Sequence, residues 1–249
     1  IVGEKGLILV GSEKGPWHKV DSGTKQRLLS VSLNDKGVAF AIGAFGVLLK
    51  STDYGQTWHS AAPDWKPLYN NTGPLKSIVP ITRPTNYVVE VFDDGSVVIG
   101  GEYGQILRSP DLGKNWNLAY RFPKTSKQQV SPTVFGMHIE KNGTGYAVGQ
   151  AGLILKTVDY GKSWTKLNVP AAKGQLLFAV DTYPDGHINI AGMRMVLCSR
   201  DGGQSWKRLH YLDFDLSWYN DLSHPSSAAP GSSFLVGNRA RIVRLAPGH

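Results

Sequence analysis

Four aspartates recur in one setting. Asp53, Asp111, Asp159 and Asp201 each follow a Ser or Thr by two residues and precede a Gly by two, and a tryptophan stands five residues on, at Trp58, Trp116, Trp164 and Trp206. Repeated carboxylates can move protons, and tryptophan faces can serve as platforms for sugar rings. The spacing supplies a simpler use. A carboxylate in Ser/Thr-x-Asp-x-Gly can accept hydrogen bonds from the amides of its own turn, the Ser or Thr hydroxyl caps it, and Gly supplies the positive φ of the reversal. The four Asp and four Trp are expected to be structural, the Trp rings as core residues.

A second set carries more chemistry. Eleven residues before the first Gly of four successive hairpins, Gly43, Gly101, Gly149 and Gly192, stand Ser32, Glu90, His138 and Asp181, each preceded by an apolar residue: Val31, Val89, Met137 and Val180. Period-two alternation puts the polar set on one face of innermost strands, where Glu90, His138 and Asp181 could surround a channel. Acid-base work or metal binding is conceivable there, and a water-filled polar channel is the plainer expectation. The seven His are dispersed, no Cys or His pair has zinc-ligand spacing, and no Gly-rich loop has a phosphate-binding context. No cofactor and no metal is expected. Cys198, the one cysteine, falls where Leu9, Leu49, Leu107 and Leu155 fall in other copies and reads as a small core residue.

The elements that position these residues repeat along the chain. Gly152 to Trp164 reads as a short apolar strand, a tight turn and a second strand, and versions run from Gly46 to Trp58, Gly104 to Trp116 and Met195 to Trp206. Shortened copies stand at Gly6 to Trp17 and at Ala240 to Arg244. The copies lie roughly 40 to 58 residues apart, the period of a four-stranded propeller blade. The pattern resembles the Asp-box, or bacterial neuraminidase, repeat. Its fuller form, Gly-x-x-Gly-x-Ile/Leu-Leu-Lys/Arg-Ser/Thr-x-Asp-x-Gly-x-x-Trp, is similar to the photosystem II assembly and stability-factor family and its relatives in non-photosynthetic bacteria. The resemblance implies an all-β Asp-box propeller of four-stranded antiparallel blades. Six hairpins point to six blades, and the family's seven is the alternative. Residues 1–249 read as one propeller domain.

The first copy offers strands at Leu7 to Gly11 and Trp17 to Val20 without an innermost strand, and the last lacks a box and a Trp. Insertions rich in Pro and aromatics, Ala61 to Ser77, and in polar residues, Lys124 to Pro132, are read as loops. The chain begins without Met, so an upstream segment, such as a signal peptide, is expected, and with it an exported location: periplasm, thylakoid lumen or extracellular. No segment approaches the roughly 18 consecutive apolar residues of a membrane helix. With 27 Lys and Arg against 19 Asp and Glu, the net charge is +8, which favours an anionic partner. Nucleic acid is not expected, because the basic residues are scattered and no binding module is present.

In a propeller, the hairpin between strands two and three shares a face with the connections between blades. Lys5, Arg194 and Arg239 occupy one hairpin position, Arg241 follows closely, and the connections add Trp65, Tyr211 and Trp218. Arginine among aromatics is the composition of protein-binding hot spots. These residues are expected to bind a protein partner, a membrane-protein loop or an assembly complex, with the chain itself monomeric. The family resemblance implies the same scaffold role. The alternative is a glycan-binding or sialidase-like propeller. It lacks a convincing match to the Arg-Ile-Pro motif that precedes the first sialidase box, since Thr82-Arg83-Pro84 follows a box instead. Asp-box xyloglucanases work in a cleft between two propellers, and one is expected here.

Overall fold

A computed structural model describes residues 1–12, 14–70, 81–123, 131–224 and 232–246. Two compact units divide the chain, Ile1–Ser131 and Pro132–His249. In the first, β1 (Ile8–Val10) and β2 (His18–Val20) form a two-stranded ladder. Next, β3 (Leu28–Leu33), β4 (Ala39–Gly43), β5 (Leu48–Ser51) and β6 (His59–Ser60) form a four-stranded antiparallel meander. A helix, α1 (Trp65–Asn70), leads towards a second meander of β7 (Asn86–Val91), β8 (Val97–Gly101), β9 (Gln105–Ser109) and β10 (Asn117–Arg121).

The second unit repeats the plan. One meander is β11 (Val134–Ile139), β12 (Gly145–Gly149), β13 (Ile154–Thr157) and β14 (Thr165–Lys166). Another is β15 (Leu177–Thr182), β16 (Ile188–Gly192), β17 (Met195–Ser199) and β18 (Lys207–Arg208). After a helix, α2 (Leu212–Leu216), the last sheet has three strands, β19 (Tyr219–Ser223), β20 (Phe234–Gly237) and β21 (Arg241–Arg244).

The architecture is an all-β propeller of antiparallel blades, and the described residues form five of them. Six, or seven, is thereby corrected. Six hairpins are present, but the first carries only β1 and β2, and a blade needs an inner strand as well as a hairpin. Part of the 61–77 insertion, from residue 71, and most of 124–132 lie outside the described residues. The rest of the first insertion contains α1 where a loop was expected.

Short strands suffice because their middles are buried on both faces. All five residues of β4, β8, β12, β16 and β17 are buried. Within the first unit Trp116 packs against the cluster around Phe40, Ile42, Leu48 and Trp65, and Trp58 against that of Ile8, Ala41 and Leu49. Within the second, Trp206 meets Tyr146 edge-to-face at 6.4 Å. Each box tryptophan thus packs on another sheet of its unit in these three copies, which is how a chain without a disulfide fixes sheet against sheet. Cys198 is buried in the cluster of Leu209, Phe214 and Tyr219, and burial pushes its thiol up.

Candidate functional site

The Asp-box turns share one geometry. Thr57 donates to Asp53 from its amide at 2.9 Å and its hydroxyl at 2.6 Å, Ser51 donates from its hydroxyl at 2.7 Å, and the Gly55 amide reaches Ser51 Oγ at 2.9 Å. Ser163 and Thr157 surround Asp159 in the same way. Asp111 is held by Asn115 and Ser109, and Asp201 by Ser205 and Ser199. The hydrogen bonds from Thr57, Asn115 and Ser205 bring Asp53, Asp111 and Asp201 down to about 2. Burial acts to raise Asp159, but the bonds from Ser163 and Thr157 outweigh it and leave it low. The indole N–H of Trp58, Trp116 and Trp206 donates to the box Gly carbonyl. Beyond the expected Gly55, the preceding Tyr54 also has positive φ, as do Leu112 and Tyr160 before Gly113 and Gly161.

The inner-strand set divides. Glu90 lies on β7 of the first unit, half-buried. Val31, the apolar neighbour of Ser32, is exposed, whereas Val89 is buried. His138 and Asp181, on β11 and β15 of the second unit, are brought together, with Nδ1 3.3 Å from Oδ1. Asp181 is buried rather than lining open water, and it has better partners. His224 Nδ1 lies 2.8 Å from Oδ1, and the Ser233 hydroxyl donates to Oδ2 at 2.9 Å. Asn189 donates to Ser233 at 2.9 Å, and the Tyr183 ring stacks on His224 at 4.2 Å. The Thr182 amide meets His138 Nδ1 at 3.1 Å. Burial acts to raise Asp181, and the hydrogen bonds and charges of His138 and His224 outweigh it. This is a filled polar network. Sequence alignment missed His224 and Ser233 because the connection from β19 to β20 is longer than in the other blades, so the eleven-residue spacing lands elsewhere.

The hairpin position is uniform. Lys5, Phe45, Tyr103, Ala151, Arg194 and Arg239 all adopt left-handed backbone conformations, with φ between 54° and 65°. All six are exposed. Left-handed backbone costs a non-Gly residue about 1 kcal/mol, so each tip is held by its surroundings. Interblade connections do the holding: Ser217 O accepts from Arg194 N at 2.8 Å, Gln175 O from Gly152 N at 2.8 Å, and Pro84 O from Gly46 N at 2.7 Å.

In the second unit this places three sequence-chosen residues together. Ser217 holds the Arg194 turn, and the next residue, Trp218, bridges to Met193 and accepts the Asn238 amide at 3.0 Å. Trp218, 40% exposed, therefore joins the turns that carry Arg194 and Arg239. The helix α2 sorts the neighbouring cations. Asp215 pairs with Arg208 at 3.0 Å and lies 3.6 Å from His210, while Asp213 pairs with Arg241, whose guanidinium also donates to Ser217 Oγ at 3.1 Å. Among the described residues, the side chains of Arg194 and Arg239 have no ion pair or hydrogen bond.

Two expected face residues change role. Arg241 is exposed but committed to Asp213. Trp65 is 4% exposed, its indole N–H donating to Gly46 O at 2.9 Å, because α1 folds it under its own hairpin. Tyr211 stays exposed, edge-on to buried Phe214 at 5.2 Å. Lys5 lies in the first unit. The acids of α2 were not anticipated, although Asp213-x-Asp215 in a basic stretch is a visible signal.

The described residues hold no group of three His, Cys, Asp or Glu placed for a metal ion, and no helix long and apolar enough to cross a membrane. The model of one protein family, described as photosynthesis system II assembly factor YCF48, matches residues 118–217. Comparison with curated protein sequences gave no match. Among solved structures, YCF48 from Cyanidioschyzon merolae is 16% identical, with 89% of this chain and 67% of that one covered and a TM-score of 0.60. A GH74 xyloglucanase from Xanthomonas campestris is also 16% identical, with 93% of this chain but 41% of the enzyme covered and a TM-score of 0.62. A structure titled YCF48 bound to D1 peptide is 19% identical, with coverages of 99% and 89% and a TM-score of 0.49. Repeated boxes, blade architecture and the matched segment together make this chain an Asp-box β-propeller that resembles the photosystem II assembly-factor family.

Proposed function

We propose that the chain is a non-catalytic assembly or scaffold factor that binds an anionic segment of a protein partner, a membrane-protein loop or tail, in an exported compartment. The carrying observation is the pair of uncommitted arginines, Arg194 and Arg239, on turns joined through exposed Trp218. A guanidinium pairs bidentately with carboxylate and is weakly hydrated, so it keeps more binding energy on desolvation than lysine does. The match to an assembly-factor model over 118–217 supports the reading, since it spans the Arg194 turn and all of α2.

The carboxylates argue in the same direction. Those of the boxes are occupied by their own turns, and Asp181 by His224 and Ser233. The test is capture of partner proteins from membranes of the source organism at physiological salt. Arg194→Ala with Arg239→Ala is expected to weaken binding at least tenfold, about 1.4 kcal/mol, with an unchanged melting temperature. Lys162→Glu, on a box turn, changes net charge equally. Equal loss from it would leave only overall charge, and glycoside turnover abolished by Asp181→Asn would replace the proposal with the enzyme reading.

A further inference from the structure

The outer strand of one four-stranded sheet carries an arginine where the three others do not. Arg208 on β18 pairs with Leu197 on β17, and the matching positions are Ser60, Leu118 and Lys166. Its guanidinium lies against the Arg194 tip, with Nη2 donating to Arg194 O at 2.9 Å and to Asp215 Oδ1 at 3.0 Å. The tip amide donates in turn to the carbonyl of Ser217, the C-terminal cap of α2, at 2.8 Å. Both backbone groups of Arg194 therefore lead to the α2 segment, the amide directly and the carbonyl through Arg208 and Asp215.

Asp215 is an imperfect partner for this arginine. Nε and Nη2 share one edge of the planar guanidinium, a fork that matches the two oxygens of a carboxylate. Asp215 fills half of it. Its Oδ1 takes Nη2, its Oδ2 lies 3.6 Å from His210 Nδ1, and Arg208 Nε is buried with no hydrogen-bond partner among the described residues. The helix holds Asp215 to this half-pairing, because Phe214 beside it is buried in the core and its own amide donates to Tyr211 O at 3.1 Å. The two side chains still reach solvent, at 31% for Arg208 and 38% for Asp215. An exposed ion pair is a weak contact, since both groups give up water and rotamer freedom to form it. A carboxylate that took Nε and Nη2 together would make one more charge-assisted hydrogen bond than Asp215 makes.

We propose that Arg208 is a third arginine of the partner-binding face and that Asp215 is its internal place-holder, displaced by a carboxylate of the partner segment. The incoming carboxylate fills the fork as Asp215 turns to water. A neutral segment cannot do this and leaves Asp215 in place, so the competitor screens partners by charge as well as setting their affinity. This rests on the anionic-partner reading above and adds to it a binding residue and its regulation.

The probe is a short fluorescein-labelled peptide alternating Glu and Ala, with Gln in place of Glu as its neutral counterpart, read by anisotropy and by the Nε–H resonance of Arg208. The expected result is that only the Glu peptide binds and that it shifts this resonance in the unaltered chain, a measurement that needs no variant. Asp215→Asn should tighten Glu-peptide binding about threefold, the worth of one exposed pair. Arg208→Lys, which keeps the charge but not the fork, should weaken it about fivefold and, combined with Asp215→Asn, abolish the gain. Asp185→Asn, on the turn between β15 and β16 at the other end of the same blade, changes net charge equally and should leave affinity as it was. A gain from Asp215→Asn that persists beside Arg208→Lys, or an equal gain from Asp185→Asn, would make Asp215 one charge among many and overturn the place-holder. Glu-peptide binding that is lost in Arg194→Ala with Arg239→Ala, yet indifferent to Asp215→Asn and Arg208→Lys, also overturns it and leaves the protein-binding reading standing. Absence of Glu-peptide binding in every one of these chains overturns both.

Discussion

The same turn is built three times in each unit, and the two units load it differently. Its left-handed residue is Lys5, Phe45 or Tyr103 in the first, and Ala151, Arg194 or Arg239 in the second. A backbone that accepts cation, ring and methyl alike does not select the side chain it displays. The tip identity is free of the fold, so it is where a binding preference can differ between blades of one architecture. The residue after the tip is not free. In four of the six turns Gly6, Gly46, Gly104 and Gly152 follow it with φ between 63° and 74°, while the fifth turn has Met195 at that place and the sixth has Ala240 at φ 56°.

The sharpest way to break this contrast is to burden the support. A Cβ on Gly152 would lie 2.0 Å from the Ala172 carbonyl oxygen, in a left-handed backbone. Gly152→Ala is therefore expected to destabilise by about 3 kcal/mol, from backbone clash and φ strain together. Chemical denaturation measures it, and a loss below about 1 kcal/mol would mean that the turn yields.

The tips should act on binding instead. Phe45→Ala with Tyr103→Ala is expected to weaken partner capture less than threefold, against tenfold or more for the arginine pair, with melting unchanged in both. Equal effects would erase the distinction between the units.

The box turns set a smaller effect common to both. Asp159→Ala should cost about 1 kcal/mol, since the Ser163 groups it binds are exposed and can turn to water. Acid gives a second reading. Asp53, Asp111 and Asp201 fall from 3.8 to about 2, so their contribution is complete above about pH 4 and is lost as pH drops through 2. Asp53→Asn with Asp201→Asn should flatten the melting temperature over that interval, and an unchanged slope would assign acid lability to other groups.

Smallest of all, Ala240→Gly should stabilise by about 0.5 kcal/mol, because relief at φ 56° slightly exceeds the entropy that Gly adds to the unfolded chain. Thermal melting reads the sign.

The local repeat determined much of this protein. Strand, turn and strand are written within about twenty residues, so the strand before each box, such as β13 at Ile154–Thr157, the box hydrogen bonds and the recurring hairpin position were all legible from spacing. Each depends on neighbours close in the chain, where periodicity and turn chemistry act directly. Tertiary structure decided what depends on distant partners. It showed that a hairpin does not make a blade, that Trp65 goes under its turn, and that Asp213 claims Arg241 while Arg194 and Arg239 stay uncommitted. It also gave Asp181 to His224 and Ser233, across a connection whose length spoils alignment. Burial and ion pairing are properties of which surfaces meet, and a repeat that fixes each turn does not fix which side chains from different turns compete for the same neighbour.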